Sequence, residues 1–138
     1  VAIDLSIDYD IVLFGGPLEI ENTKDIENYL IDNGISNYQN LAGKTTLNEL
    51  MTYISGLDLL ITGDSGPMHI AAAFQVPTVA IFGPTKDKET SQWMNEKSII
   101  VKKNLDCQPC MRRSCPLKHH NCMKLLNAKE VLHAVKKL

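Results

Sequence analysis

Gly63 to Ala73 reads GDSGPMHIAAA, and these residue types suit the holding of a phosphate. The stretch lies between two apolar runs, 57–62 and 77–82, and the second ends in Gly83-Pro84-Thr85. The pattern predicts strand, tight polar turn, helix, strand, turn. In such an arrangement the turn follows a parallel strand, and the helix N-terminus points into a ligand crevice. A helix N-terminus offers unpaired N–H groups and a partial positive charge, which favour an anion. Gly63 and Gly66 allow close backbone approach. Asp64 or Ser65 is expected to cap the helix, and Pro67 falls in its first turn, where its missing N–H costs nothing. His69 adds a titratable group beside the same spot. The same residues also compose an ordinary helix start.

A second group of reactive side chains lies further along. All four cysteines fall within 106–124, as Cys107, Cys110, Cys115 and Cys122. The pattern is C-x2-C-x4-C-x6-C, with His119 and His120 inside it. A CxxC pair with two further thiols nearby has metal-ligand spacing. Zinc held by the four thiolates and an iron–sulfur cluster are both candidates, and either histidine could replace a thiol. Free or disulfide-paired cysteines are the alternative, although a cytosolic location argues against stable disulfides. Arg112, Arg113 and Lys118 make the loop basic.

The elements that must position these groups follow from periodicity. Residues 1–6 read as the tail of a helix, and with no Met at position 1 this suggests a fragment. Residues 10–14 form a short buried strand closed by Gly15-Gly16-Pro17. A helix is predicted over 21–32, with Ile26, Tyr29 and Leu30 on one face and Asn33-Gly34 as the stop. A short strand is predicted over 38–42. An amphipathic helix follows over 46–55, packing Leu47, Leu50, Met51 and Ile54 into the core. Strands over 57–62 and 78–82 flank a helix over 68–75, and another strand covers 98–102. A last helix over 127–138 turns Val131, Leu132, Val135 and Leu138 inward and ends in Lys136-Lys137. Alternating strands and helices predict an α/β fold: a Rossmann-like parallel sheet flanked by helices. No GxGxxG is present, so the usual nicotinamide or flavin fingerprint is missing.

At 138 residues the chain fits one domain. It is 44% hydrophobic and 22% charged, the composition of a globular protein. Its net charge of −2 points away from nucleic acid and from strong membrane attraction. No apolar run reaches transmembrane length.

Asp-Ser-Gly-Pro-Met-His-Ile-Ala-Ala-Ala, followed by Val-Pro-Thr-Val-Ala-Ile-Phe-Gly-Pro-Thr, resembles the donor-site signature of the heptosyltransferases, glycosyltransferases of family 9. The resemblance covers nearly the whole chain. It implies that residues 1–138 are the C-terminal, nucleotide-sugar-binding half of a two-domain GT-B enzyme, with an N-terminal acceptor domain outside this chain. The implied chemistry is inverting transfer of heptose from ADP-heptose to the lipopolysaccharide inner core, without an obligatory cofactor. On this reading the enzyme is cytoplasmic, at most peripheral to the inner membrane of a Gram-negative bacterium.

The resemblance also implies roles. Glu19 matches a carboxylate that accepts from the ribose hydroxyls, with Glu21 close enough to be confused with it. Thr45 matches a main-chain contact to adenine, while Thr46 and Glu49 have the spacing of a capping box. Ser65 and Gly66 match phosphate-binding N–H groups. Asp64 matches a sugar ligand, since two anions would repel. His69 matches a hydrogen-bond donor that stabilises the leaving ADP; the alternative is a histidine packed under the turn. Gly83, Pro84 and Thr85 match a turn near the sugar or acceptor, or serve as a plain turn. The general base and a basic phosphate ligand belong to the missing half, as does contact with the lipid A-core acceptor. The Cys stretch resembles a structural staple of the family. A GT-B enzyme using UDP or GDP donors, or a free-standing nucleotide- or metal-binding module, is the competing reading.

Overall fold

The computed structural model describes residues 1–138, which divide into two compact units, 1–50 and 51–138. Each unit carries its own parallel ladder.

The first unit contains α1 (Ala2–Leu5), β1 (Ile11–Leu13), a 3-10 turn (Pro17–Glu19), α2 (Ile20–Asp32), β2 (Tyr38–Asn40) and the start of α3 (Leu47–Ser55). Ile11, Val12 and Leu13 pair in parallel with Tyr38, Gln39 and Asn40. The Asn33-Gly34 stop forms as expected. Gly34 lies at φ +73°, its N–H bonds Ile31 O at 2.9 Å, and Ile35 N–H bonds Leu30 O at 3.0 Å. These are the paired bonds of a Schellman motif, which needs a left-handed residue. Gly43 (φ +69°) is equally constrained, because a Cβ there would stand 2.6 Å from Ile20 Cδ1. Its N–H bonds Gly15 O at 2.8 Å, so the turns after β1 and β2 are tied together.

The second unit contains β3 (Leu60–Gly63), α4 (Gly66–Ala73), β4 (Thr78–Phe82), α5 (Asp87–Thr90), β5 (Ser98–Lys102), α6 (Asn121–Lys124) and α7 (Ala128–Val135). The three strands run parallel in the order β3-β4-β5, with Gly63 opposite Ile81 and Phe82 opposite Lys102. Central β4 is almost wholly buried, as its unbroken apolar run requires. Met68 of α4 packs with Ala80 and Phe82 of β4, and Ile100 of β5 closes the cluster. The Asn127–Glu130 capping box starts α7, and Val131 and Ala134 are buried.

The α/β class and most elements match expectation, but several helix faces differ. In α2 the buried residues are Thr23 and Leu30, seven apart and therefore on one line, while Ile26 and Tyr29 stay exposed. In α3 Ile54 is fully buried, whereas Leu47 is 65% exposed. Leu138 is also exposed. The short helices α5 and α6 were not anticipated: at four residues each they carry no readable periodicity.

Candidate functional site

The start of α4 is open. β3 ends at Gly63, Asp64 and Ser65 make the turn, and the helix begins at Gly66 with Pro67 in its first turn. Ser65 occupies the N-cap position with extended backbone (φ −155°, ψ 171°), but no side chain caps the helix. The expected cap by Asp64 or Ser65 is therefore absent, and the reason is competition. Asp64 Oδ2 accepts from Thr90 Oγ1 at 2.9 Å. Ser65 Oγ turns back to Thr62 Oγ1 at 3.1 Å and to Gly63 O at 3.3 Å. An uncapped helix start keeps N–H donors available to an outside acceptor. Gly66 has no left-handed backbone, and a Cβ there would meet no atom within 4 Å. The fold therefore does not need glycine at this position, and the missing side chain leaves the helix start clear. His69 is exposed on the first turn rather than packed beneath it.

The turn after β4 leaves the same end of the ladder, since β3 and β4 are parallel neighbours. It is closed. Gly83 is buried, and a Cβ there would stand 2.5 Å from Met123 Sδ. Gly83 O accepts from Gln108 Nε2 at 2.6 Å, and Pro84 O accepts from Met111 N–H at 3.0 Å. Thr85 Oγ1 is buried without a hydrogen-bond partner. Gly83 and Thr85 border a cleft of about 300 Å³ with Asp87, Lys102, Lys103 and Gln108. Lys102 pairs with Asp87 at 2.6 Å, and Lys103 with Glu130 at 2.6 Å. The hydrogen bond from Lys102 is the main reason that the Asp87 carboxyl titrates below its ordinary range. The hydrogen bond from Lys103 does the same for Glu130.

The Cys-rich loop supplies the partners of that closed turn, Gln108, Met111 and Met123. These contacts hold the loop against the turn after β4. The metal expectation needs correction. Cys107, Cys110, Cys115 and Cys122 are free thiols, and no three His, Cys, Asp or Glu side chains come together as a set able to hold a metal ion. The histidines are engaged otherwise: His120 Nε2 accepts from Cys115 N–H at 3.0 Å, and His119 Nδ1 from Asn121 N–H at 3.0 Å. The donor set does not fit tetrahedral zinc or an iron–sulfur cluster, because ligand atoms must converge on one point.

In the first unit, Glu19 is exposed and its Oε2 accepts from Gly16 N–H at 2.7 Å. One carboxylate oxygen is thus held while the other remains open to a donor. Thr45 is half-buried. The neighbouring capping box is present: Thr46 N–H and Oγ1 both donate to Glu49 Oε2, at 2.7 and 2.8 Å, and Glu49 N–H donates to Thr46 Oγ1 at 3.3 Å. These bonds, led by the backbone one, hold the Glu49 carboxyl below its ordinary range. Sequence reasoning missed Thr90 and Gln108, which meet Asp64 and Gly83 from 26 and 25 residues away. No local pattern signals a partner that distant.

Residues 5–121 match the family described as Glycosyltransferase family 9 (heptosyltransferase). The whole chain is 47% identical to lipooligosaccharide heptosyltransferase 2 of Campylobacter jejuni subsp. jejuni serotype O:2, covering 43% of that protein. Over 67% of its length the chain is 34% identical to lipopolysaccharide heptosyltransferase 2 of Escherichia coli, covering 26% of that protein. The chain thus spans less than half the length of these relatives. Its fold is similar to the structure of E. coli ADP-heptose lps heptosyltransferase II, with a TM-score of 0.80 at 24% identity, over 99% of this chain and 38% of that one. The match over residues 5–121, more than half of the chain, shows that the chain belongs to glycosyltransferase family 9, the heptosyltransferases.

Proposed function

We propose that this chain is the donor-binding part of an inverting glycosyltransferase that moves heptose from ADP-heptose to the lipopolysaccharide inner core. The observation that carries the reading is the open start of α4, where no side chain caps the helix and Gly66 leaves room. A diphosphate supplies the missing acceptors: its oxygens take the N–H groups of Ser65 and Gly66, favoured by the positive end of the helix. His69 donates to a phosphate oxygen and stabilises the charge that builds on departing ADP. Asp64 accepts from a sugar hydroxyl through the oxygen that Thr90 leaves open. Thr85, whose buried hydroxyl has no partner, is assigned to the sugar side of the donor. Gly83 and Pro84 hold that turn in place rather than touching the donor. Within the first unit, Glu19 accepts from a ribose hydroxyl, and the Thr45 main chain meets the adenine edge.

The acceptor hydroxyl attacks the anomeric carbon as ADP leaves, and a general base outside this chain removes its proton. Transfer requires no metal or other cofactor in this scheme. The partners are ADP-heptose and a lipid A-core acceptor, met by an N-terminal domain on the cytoplasmic side of a Gram-negative inner membrane. No helix of this chain is long and apolar enough to cross a membrane. The isolated chain is expected to bind ADP weakly and to transfer nothing. A direct test is a transfer assay with ADP-heptose and heptose-acceptor core: the relatives' full-length architecture turns over and the 138-residue chain does not. Turnover by the chain alone contradicts the assignment of the base.

A further inference from the structure

The loop between β5 and α7 carries charge of one sign. Residues 107–129 include Arg112, Arg113, Lys118, Lys124 and Lys129 and no Asp or Glu. Like charges gathered without a counter-ion repel one another, and an arriving anion relieves the repulsion. Arg112 and Arg113 stand exposed at a pocket of about 260 Å³ that both help to line, and no carboxylate lines it. Neither arginine makes a hydrogen bond or an ion pair. Lys102 and Lys103, by contrast, are already paired with Asp87 and Glu130. His119 and His120 line the same pocket, and the backbone fixes which nitrogen of each bears the proton. His119 Nδ1 accepts from Asn121 N–H at 3.0 Å, so its Nε2 is the donor. His120 Nε2 accepts from Cys115 N–H at 3.0 Å, so its Nδ1 is the donor. The pocket is also built in advance. Met111 N–H bonds Pro84 O at 3.0 Å and Gln108 Nε2 bonds Gly83 O at 2.6 Å, which seats the loop on the turn after β4. Met111, Lys118 and His120 hold left-handed backbone (φ 54–59°), a conformation that persists only where the surroundings fix it.

We propose that this pocket binds a phosphate monoester, such as the phosphate group of a phosphorylated sugar. Charge and oxygen count select that ligand. A phosphate monoester carries about −1.5 to −2 charges near neutral pH and three strong acceptor oxygens. Two guanidinium forks match that charge, and each grips two oxygens at once. A carboxylate brings one charge and two oxygens, so it leaves one arginine unpaired. The size of the pocket agrees. At about 260 Å³ it falls short of the roughly 300–1,000 Å³ that receives a whole drug-sized ligand, which suits a phosphate and part of its carrier. Pro84, Leu117 and Met123 supply an apolar wall for the carrier's C–H groups. Binding makes and breaks no covalent bond and asks nothing of the four thiols. The proposal is independent of the donor reading, because it uses none of the residues at the start of α4.

The test is NMR of the 138-residue chain at constant ionic strength, reading backbone amides and arginine Nε–H signals, with glucose 6-phosphate as probe. The Arg112 and Arg113 Nε–H signals and the amides between 111 and 120 are expected to shift saturably. Glucuronate should bind severalfold more weakly, and glucose should shift nothing. Arg112→Gln combined with Arg113→Gln should weaken binding by about tenfold or more, the order expected for losing charged hydrogen bonds. Amides of β4 at their wild-type positions would show that this variant is folded. Inorganic phosphate that binds as tightly assigns recognition to the phosphate alone, and tighter binding of glucose 6-phosphate adds a contribution from the carrier; both outcomes support the site. Shifts that never saturate, glucuronate that binds as tightly, or a double variant that binds like wild type would overturn it. Shifts confined to Ser65 and Gly66 would also overturn it, while leaving the donor reading standing.

Discussion

Two turns leave the same end of one parallel ladder, and they are built in opposite ways. The turn after β3 has a glycine with nothing near it and a helix start with no cap. The turn after β4 has a glycine pressed against Met123 and carbonyls bonded by Gln108 and Met111. In sequence both are Gly/Pro turns after an apolar run, the first a phosphate candidate and the second a turn near the sugar or acceptor or a plain turn. The structure separates them: one leaves its helix start without a side-chain cap, and the other commits its carbonyls to holding a loop. The difference teaches that a glycine is explained by packing at Gly83 and not at Gly66.

The largest effect that would break this comparison is on stability. Gly83→Ala should destabilise the chain by about 1 kcal/mol, the low end for overpacking, because the clash falls on the flexible, exposed thioether of Met123, which must move. Gly66→Ala should change stability by no more than about 0.5 kcal/mol, as at sites without buried contacts. Urea denaturation of both variants checks the pair. Equal losses would erase the distinction. Adding Met123→Ala to Gly83→Ala should give less than the sum of the two single losses, since the clash disappears.

A comparable effect concerns the one side-chain anchor that α5 gives the open turn. Thr90→Val removes the hydroxyl that donates to Asp64 and should cost about 1 kcal/mol, the net worth of such a bond. Thr90→Ser should retain most of it. If Val and Ser behave alike in thermal unfolding, the Asp64–Thr90 bond does not hold the turn.

The smallest effect is electrostatic. Asp87 and Lys102 border the cleft of the closed turn, and Asp87→Asn should cost about 0.5–1 kcal/mol near neutral pH, as for a partly exposed pair. The Asp87 pKa is lowered on folding from its ordinary 3.8. A depressed carboxyl contributes stability above its unfolded pKa and loses it as pH falls through the folded one. The gap between wild type and Asp87→Asn should therefore hold above about pH 4 and close below it. A gap that persists at pH 2 would show that packing, not charge, sets the effect.

Sequence pattern carried β4 and β5 to their ends through their apolar runs, and α7 to its start but three residues past its end. It also carried Asn33-Gly34, where a single left-handed residue decides the stop. Helix faces were less legible. Leu47 and Ile54 fit one amphipathic pattern, yet burial falls on Ile54 and not on Leu47, since periodicity says which residues share a face and not what covers it. The site divided similarly. Residue types at 63–69 announced a phosphate-compatible turn, but the missing cap could not be read, because Asp64 is drawn away by Thr90 across 26 residues. The cysteine spacing suggested a metal, whereas the loop spends His119 and His120 on its own backbone and leaves the thiols around a pocket.

The central claim is that the open turn at the start of α4 receives a nucleotide diphosphate. Amide-resolved NMR of the chain titrated with ADP tests it directly, because the method detects weak binding. The Ser65, Gly66 and Met68 amides should shift together and saturably, UDP should shift them less, and Gly66→Val, which puts a side chain into the clear space, should abolish the response. Shifts confined to residues 83–85, or a Gly66→Val chain that responds like wild type, would contradict it.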